Sequence, residues 1–121
     1  MRDLEHKAQS ALIEWWRITH KQYGLPEFAL FAIPNGGARS VITGAKLKRE
    51  GVRKGVFDLR LEVIRNGNTG MYIEMKYGKN KLTKEQEQFM LMATAAGAHC
   101  VVCYSWDDAA QKIRNYLGID R

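Results

Sequence analysis

Gly55-Val56-Phe57-Asp58-Leu59-Arg60-Leu61-Glu62-Val63-Ile64, then Arg65-Asn66-Gly67-Asn68-Thr69-Gly70, then Met71-Tyr72-Ile73-Glu74-Met75-Lys76, is the stretch that decides the fold. Apolar and polar residues alternate on both sides of an Asn-Gly pair, the signature of a β-hairpin. Successive strand side chains point to opposite faces. Phe57, Leu59, Leu61 and Val63 therefore share one face with Met71, Ile73 and Met75. Asp58, Arg60 and Glu62 share the other with Tyr72, Glu74 and Lys76. With Glu62 opposite Tyr72, Asp58 falls opposite Lys76, at about 5 Å between Cβ atoms, and diagonal to Glu74 at about 7–8 Å.

Two carboxylates and an ammonium on one small area suit a hard divalent cation, which takes oxygen ligands and often uses only one or two carboxylates. A cation there acidifies bound water and polarises a phosphoryl oxygen, and a neighbouring lysine orients the water or stabilises developing charge. On the hairpin alone, a solvated face of mixed charge is the simpler reading. The rest of the chain has to decide.

The 121 residues fit a single domain, 1–121, with one core. A formal charge of +6 favours a polyanionic partner. No apolar run approaches the ~20 residues of a membrane span, and Met1-Arg2-Asp3-Leu4-Glu5 lacks the apolar core of a signal peptide. The expected location is the cytoplasm, with no membrane partner. Cys100 and Cys103 form a C-x-x-C spacing inside a valine-rich strand, where positions three apart face opposite ways. With no second cysteine pair to complete a zinc site, they read as small core residues in a reducing compartment. His6, His20 and His99 are scattered and form no ligand pattern.

Residues 3–22 read as an amphipathic helix, with Leu4, Ala8, Ala11, Leu12, Trp15, Ile18 and Thr19 at helical spacing. Glu5 and Gln9 lie beside that stripe, placed to reach the rim of a sheet that the helix covers. Glu5 also suits the dipole of a first helical turn. Residues 28–33 read as a buried strand. The following Pro34-Asn35-Gly36-Gly37-Ala38-Arg39 is either a phosphate-holding loop or a plain turn. Residues 40–54 are strongly basic, with Lys46, Lys48, Arg53 and Lys54 and a short helix around 41–50. Their place just before Asp58 favours a role on phosphate. Thr83-Lys84-Glu85-Gln86 matches a capping box. Gln86 either closes that box or points back toward the sheet near Glu74. Strand, helix and strand over 71–104 make a crossover, so the last strand should run parallel to that of Glu74. Ser105 caps a final helix. The predicted class is α/β: a mixed sheet with the first helix over one face and the crossover helix over the other.

The αβββαβ order, with Asp58 opening the second strand and Glu74-Met75-Lys76 on the third, resembles the PD-(D/E)xK nuclease superfamily with its restriction-endonuclease-like core. Within it the chain is similar to a stand-alone VRR-NUC domain, the virus-type replication and repair nuclease. Glu5, Gln9, Pro34-Asn35-Gly36-Gly37, Arg39, Gly51, Lys54-Gly55-Val56-Phe57-Asp58, Tyr72-Ile73-Glu74-Met75-Lys76 and Gln86 carry the likeness, which spans nearly the whole chain. Phe57 departs from it, standing where the superfamily name expects proline.

The resemblance implies metal-dependent hydrolysis of DNA phosphodiesters by an endonuclease. Asp58, Glu74, the Met75 carbonyl and Glu5 would bind Mg²⁺ or Mn²⁺, Glu5 directly or through water. Lys76 would position the attacking water, and Gln86 would steady that water or Lys76. Asn35, Gly36, Gly37, Arg39, Lys46, Lys48, Arg53 and Lys54 would meet the DNA backbone. Stand-alone members resemble Holliday-junction resolvases, homodimers acting on branched DNA, and fused relatives act on flaps in DNA repair. Many members come from phages, which implies the cytoplasm of a bacterial or phage-infected host. The alternatives are the same fold acting on flaps, single strands or duplex sites, or an inactive nucleic-acid-binding module.

Overall fold

In the computed structural model, which describes residues 2–34 and 41–119, the Asn-Gly turn forms as the sequence predicts. Asn66 and Gly67 both take positive φ, 51° and 80°, the requirement of a two-residue hairpin turn. Arg65 and Asn68 bridge across it. The ladder behind the turn does not follow the predicted register. Strand β2 (Leu59–Leu61) pairs with β3 (Met71–Met75) so that Arg60 faces Tyr72 and Leu61 faces Met71. Three residues, 62–64, then oppose only Thr69 and Gly70, which is a bulge. Its sharp bend is visible in the Val63 N–H, which donates to the Leu61 carbonyl at 3.0 Å.

Arg60 fixes this register. Its guanidinium lies 4.7 Å from the centre of the Tyr72 ring and donates to the Thr69 carbonyl at 3.2 Å. It occupies the space that a side chain at residue 70 would fill. The expected pairing of Glu62 with Tyr72 is thus corrected by two residues. Asp58 arrives opposite Glu74 rather than Lys76.

The sheet has the order β1-β2-β3-β4, with β1 (Leu30–Ala32) antiparallel to β2 and β4 (His99–Cys103) parallel to β3. Helix α2 (Val41–Arg49) lies between β1 and β2 in sequence, and α3 (Lys84–Ala95) makes the expected crossover from β3 to β4. Thr83 caps α3 with a complete capping box, and Ser105 caps α4 (Trp106–Tyr116) by accepting from the Asp108 N–H.

One face of the sheet carries the core. Leu59, Leu61, Val63, Met71, Ile73 and Met75 are buried there under Leu12 and Trp16 of α1 (Arg2–Thr19) and Ala109, Ile113 and Tyr116 of α4. The Tyr116 hydroxyl donates to the Val63 carbonyl at 2.6 Å, closing the bulge onto the core. The other face receives α3, whose Phe89 ring meets Tyr72 edge-on at 5.0 Å and Phe57 at 5.5 Å. Phe57, expected beside Leu59, belongs instead with this second layer, because regular alternation begins only at β2.

Other expectations shift for similar reasons. Trp16, which lies off the expected apolar stripe, is 1% exposed. Its indole N–H donates to the Glu27 carbonyl at 2.7 Å. Ile18, placed on the buried stripe, points outward. The run 28–33 is not a wholly buried strand. Phe28 is exposed in a 3₁₀ turn, and Phe31 sits half-covered on an edge strand.

Candidate active site

Asp58 and Glu74 face each other where β2 runs out and β3 continues. They are tied by reciprocal hydrogen bonds between side chain and backbone. The Asp58 N–H donates to Glu74 Oε1 at 3.1 Å, and the Met75 N–H donates to Asp58 Oδ2 at 3.0 Å. The N–H and carbonyl of one strand residue point to the same neighbour, so the Met75 carbonyl is directed to the Asp58 side, past the end of β2. Gly55 makes the approach possible. At φ +99°, a Cβ there would stand 2.8 Å from Cβ and the carbonyl oxygen of Glu85, so only glycine lets the segment before Asp58 pass the start of α3.

Gln86 does both of the things its position allowed. Its Oε1 accepts the Thr83 N–H at 2.8 Å and its backbone N–H donates to Thr83 Oγ1 at 3.1 Å. With the amide oxygen thus taken, the amide nitrogen faces Glu74 and donates to Oε2 at 2.8 Å. The capping box therefore orients a residue of the site. Lys76 Nζ lies 3.8 Å from the same Oε2. Both charged groups are buried, at 3% exposure for Glu74 and 9% for Lys76, because α3 covers a hairpin face that in isolation reads as solvated.

Burial pushes the Glu74 carboxyl up to about 8, and the negative charges of Asp58 and Glu5 push in the same direction; Lys76 and the Asp58 N–H oppose them. Two tendencies conflict at this one group. Its oxygens are furnished with donors suited to the ionised form, while desolvation and its acidic neighbours favour the neutral one. A divalent cation between Asp58 and Glu74 resolves the conflict, since it supplies the positive charge that the pair lacks. The donor set fits such an ion: two carboxylates and a backbone carbonyl are hard oxygens, with no soft sulfur among them.

Around the pair opens a cleft of about 690 Å³. Glu5 and Gln9 of α1 line it, as do Gln86 and Thr83 of α3, and Lys48, Arg53 and Lys54 form its basic wall. The structure thus brings together residues spread from position 5 to position 86. Lys46 is exposed on α2 but does not line the cleft. Asn35, Gly36, Gly37 and Arg39 lie outside the described residues. Among the described residues, no three His, Cys, Asp or Glu side chains close into a metal-holding group. Glu5 stands in the cleft without joining the Asp58–Glu74 pair, and its Oε2 accepts from Asn80 Nδ2 at 3.4 Å. Beyond Gly44, Leu47 and Val52, which line the cleft without a polar side chain, three polar lining or contacting residues were not singled out from the sequence. His6 follows Glu5 and is three residues from Gln9, so the helical spacing could have found it. Thr83 was legible only as a cap, and Asn80 carried no signal.

A pair of carboxylates at the end of a mixed sheet, with a lysine two residues further along the second strand, places this domain among nucleases of the PD-(D/E)xK type. The chain belongs to the VRR-NUC family: the family model for the VRR-NUC domain matches residues 3–107. Its fold is similar to that of a solved structure described as a VRR_NUC domain protein, with a TM-score of 0.74 over 96% of this chain and 89% of that one, at 23% identity. No protein of curated function matches it in sequence. Nucleases of this type act on DNA and generally depend on a divalent metal. Among the described residues, no helix is long and apolar enough to cross a membrane.

Proposed function

We propose that this protein is a Mg²⁺- or Mn²⁺-dependent endonuclease that cuts branched DNA as a homodimer, with the four-way junction as its substrate. The observation that carries the hydrolytic part is the opposed Asp58–Glu74 pair, with Lys76 buried beside it, on the floor of a cleft whose wall holds Lys48, Arg53 and Lys54. An inactive binding module would have no use for two facing carboxylates where burial and like charge push one of them up to about 8.

Asp58, Glu74 and the Met75 carbonyl would hold the ion, with Glu5 contributing through water. When bound, it supplies acidification of a water and stabilisation of charge on the phosphoryl oxygens. Lys76, held by Glu74, orients the attacking water and faces the charge that develops on the phosphate. The water oxygen gives up a proton to solvent and forms a bond to phosphorus as one P–O ester bond breaks, and the departing oxygen takes up a proton from a solvent water. Gln86 acts on Glu74, keeping Oε2 oriented, rather than on the water or on Lys76. Lys48, Arg53 and Lys54 take backbone phosphates, with Lys46 further out along α2. Asn35, Gly36, Gly37 and Arg39 would contact backbone phosphates as well. Contacts of this kind position DNA without reading its sequence.

Among the described residues, each chain has one such cluster, whereas resolving a four-way junction takes two symmetric cuts. A twofold dimer supplies them, and it is the commonest oligomer symmetry. A cleavage panel of junction, flap, single strand and linear duplex, run with Mg²⁺, Mn²⁺ or EDTA alongside light scattering, tests this. The expected result is a dimer that nicks the junction in pairs only with metal. A monomer that cuts linear duplex equally well would leave the nuclease and remove the resolvase. Cleavage that survives EDTA would remove the metal.

A further inference from the structure

Glu5 sits ahead of the part of α1 that the core holds. Leu12 and Trp16 are 0% and 1% exposed, whereas Leu4 is 40% exposed. The first turn, which carries Glu5, extends beyond Ala8, the first residue of the helix packed on the core, and needs another contact to hold it at the cleft. The β3–α3 loop provides it. Asn80 is fixed in that loop by two backbone hydrogen bonds, its N–H donating to the Tyr77 carbonyl at 3.1 Å and its carbonyl accepting from the Tyr104 hydroxyl at 3.1 Å. Its side-chain amide then donates to Glu5 Oε2 at 3.4 Å, across 75 positions of chain.

Tyr104 is well placed for this. The β3–β4 ladder pairs Met75 with Cys103, and the Lys76 N–H donates to the Cys103 carbonyl at 2.9 Å. One step further puts Tyr104 beside Lys76, on the Glu74 face. The chain Tyr104–Asn80–Glu5 therefore links the end of β4, the loop after Lys76 and the start of α1 across the mouth of the site.

We propose that Asn80 is a positioning residue that holds the Glu5 carboxylate at the metal site, and that Tyr104 acts one step behind it by fixing the loop. This rests on the metal-dependent reading above. The amide suits the task. It donates to a carboxylate without adding a charge of its own, so it orients Glu5 without competing with the cation. Residues that orient metal ligands in this way typically contribute about 10–100-fold to metal affinity or activity. A long contact to a half-buried carboxylate belongs at the low end.

The test is Mn²⁺ binding by isothermal titration calorimetry on the full chain, without DNA. Asn80→Ala should weaken Mn²⁺ binding about tenfold, and Tyr104→Phe should weaken it about threefold. In a Glu5→Ala background, Asn80→Ala should change nothing further, which separates action through Glu5 from general loosening of the loop. Wild-type affinity in Asn80→Ala, or an equal loss with and without Glu5, overturns the positioning role while leaving the metal site intact. Wild-type protein that binds no Mn²⁺, measured beside Glu74→Gln as the blank, overturns the metal reading and the positioning role with it.

Discussion

Replacing Glu74 by glutamine should stabilise the metal-free protein, and by an amount that depends on pH. The carboxyl rises from an ordinary 4.5 to about 8 on folding, so its neutral form is the one the fold favours. The group's contribution is most favourable below about 4.5 and is lost as the pH rises toward 8, where the folded protein must ionise it. Each unit is worth about 1.4 kcal/mol, so by pH 7 the penalty is about 3 kcal/mol. Glutamine keeps the shape and an oxygen for the Asp58 N–H but gives up the acceptor facing Gln86, at a cost of about 1 kcal/mol.

The variant should therefore gain about 2 kcal/mol at pH 7 in EDTA. The gain should vanish at about pH 5, turn into a loss of about 1 kcal/mol well below it, and grow toward pH 8. Titratable groups common to both proteins cancel to first order in the difference. Urea unfolding of the two proteins at several pH values measures it directly. Added Mn²⁺ should reverse the order by stabilising the wild type alone. A stability difference that does not change with pH, or a variant weaker than wild type at pH 7.5, would refute the argument that Glu74 is held against its own ionisation.

Asp58→Ala, Glu74→Ala and Lys76→Ala should each abolish nicking while circular dichroism shows a folded chain; turnover near wild type in any of them removes that residue from the site. Charge removal at Lys48, Arg53 and Lys54 together should weaken binding on every DNA and flatten the salt dependence by about three units of log–log slope, whereas Lys46→Ala should have a smaller effect; filter binding across a salt series checks both. Gly55→Ala combines an unfavourable φ with a contact against α3, and should cost about 2 kcal/mol or more in a urea melt as well as displacing Asp58 enough to cut the nicking rate. Trp16→Ala should cost about 3–5 kcal/mol, because it empties a buried site and removes the indole hydrogen bond to the Glu27 carbonyl; an unchanged melt would contradict its place in the core.

Alternation in 55–76, the Asn-Gly turn, the capping box at Thr83 and the helix cap at Ser105 are local signals, and each was legible because a local rule sets it. They suffice for the element order, for the parallel fourth strand and for the candidate residues Asp58, Glu74 and Lys76 on one face. Local rules say nothing of what covers a face. The hairpin side bearing Glu74 and Lys76 has the composition of a solvated surface, and only the arrival of α3 buries it and drives the Glu74 carboxyl up. Register is equally non-local. A bulge after Leu61, held by Arg60 against Tyr72, moves Asp58 by two residues relative to Glu74 and makes a directly opposed pair of what alternation placed on a diagonal. Gln86 had two readings in the sequence, and the structure keeps both, because a cap at the start of α3 lies against the end of β3. Trp16 and Ile18 exchanged roles because the helix stripe is broad enough for either, and only the position of α4 picks one. Asn80 could not be found at all, since its partners Glu5 and Tyr104 stand 75 and 24 positions away and meet it only when three elements converge on the mouth of the cleft.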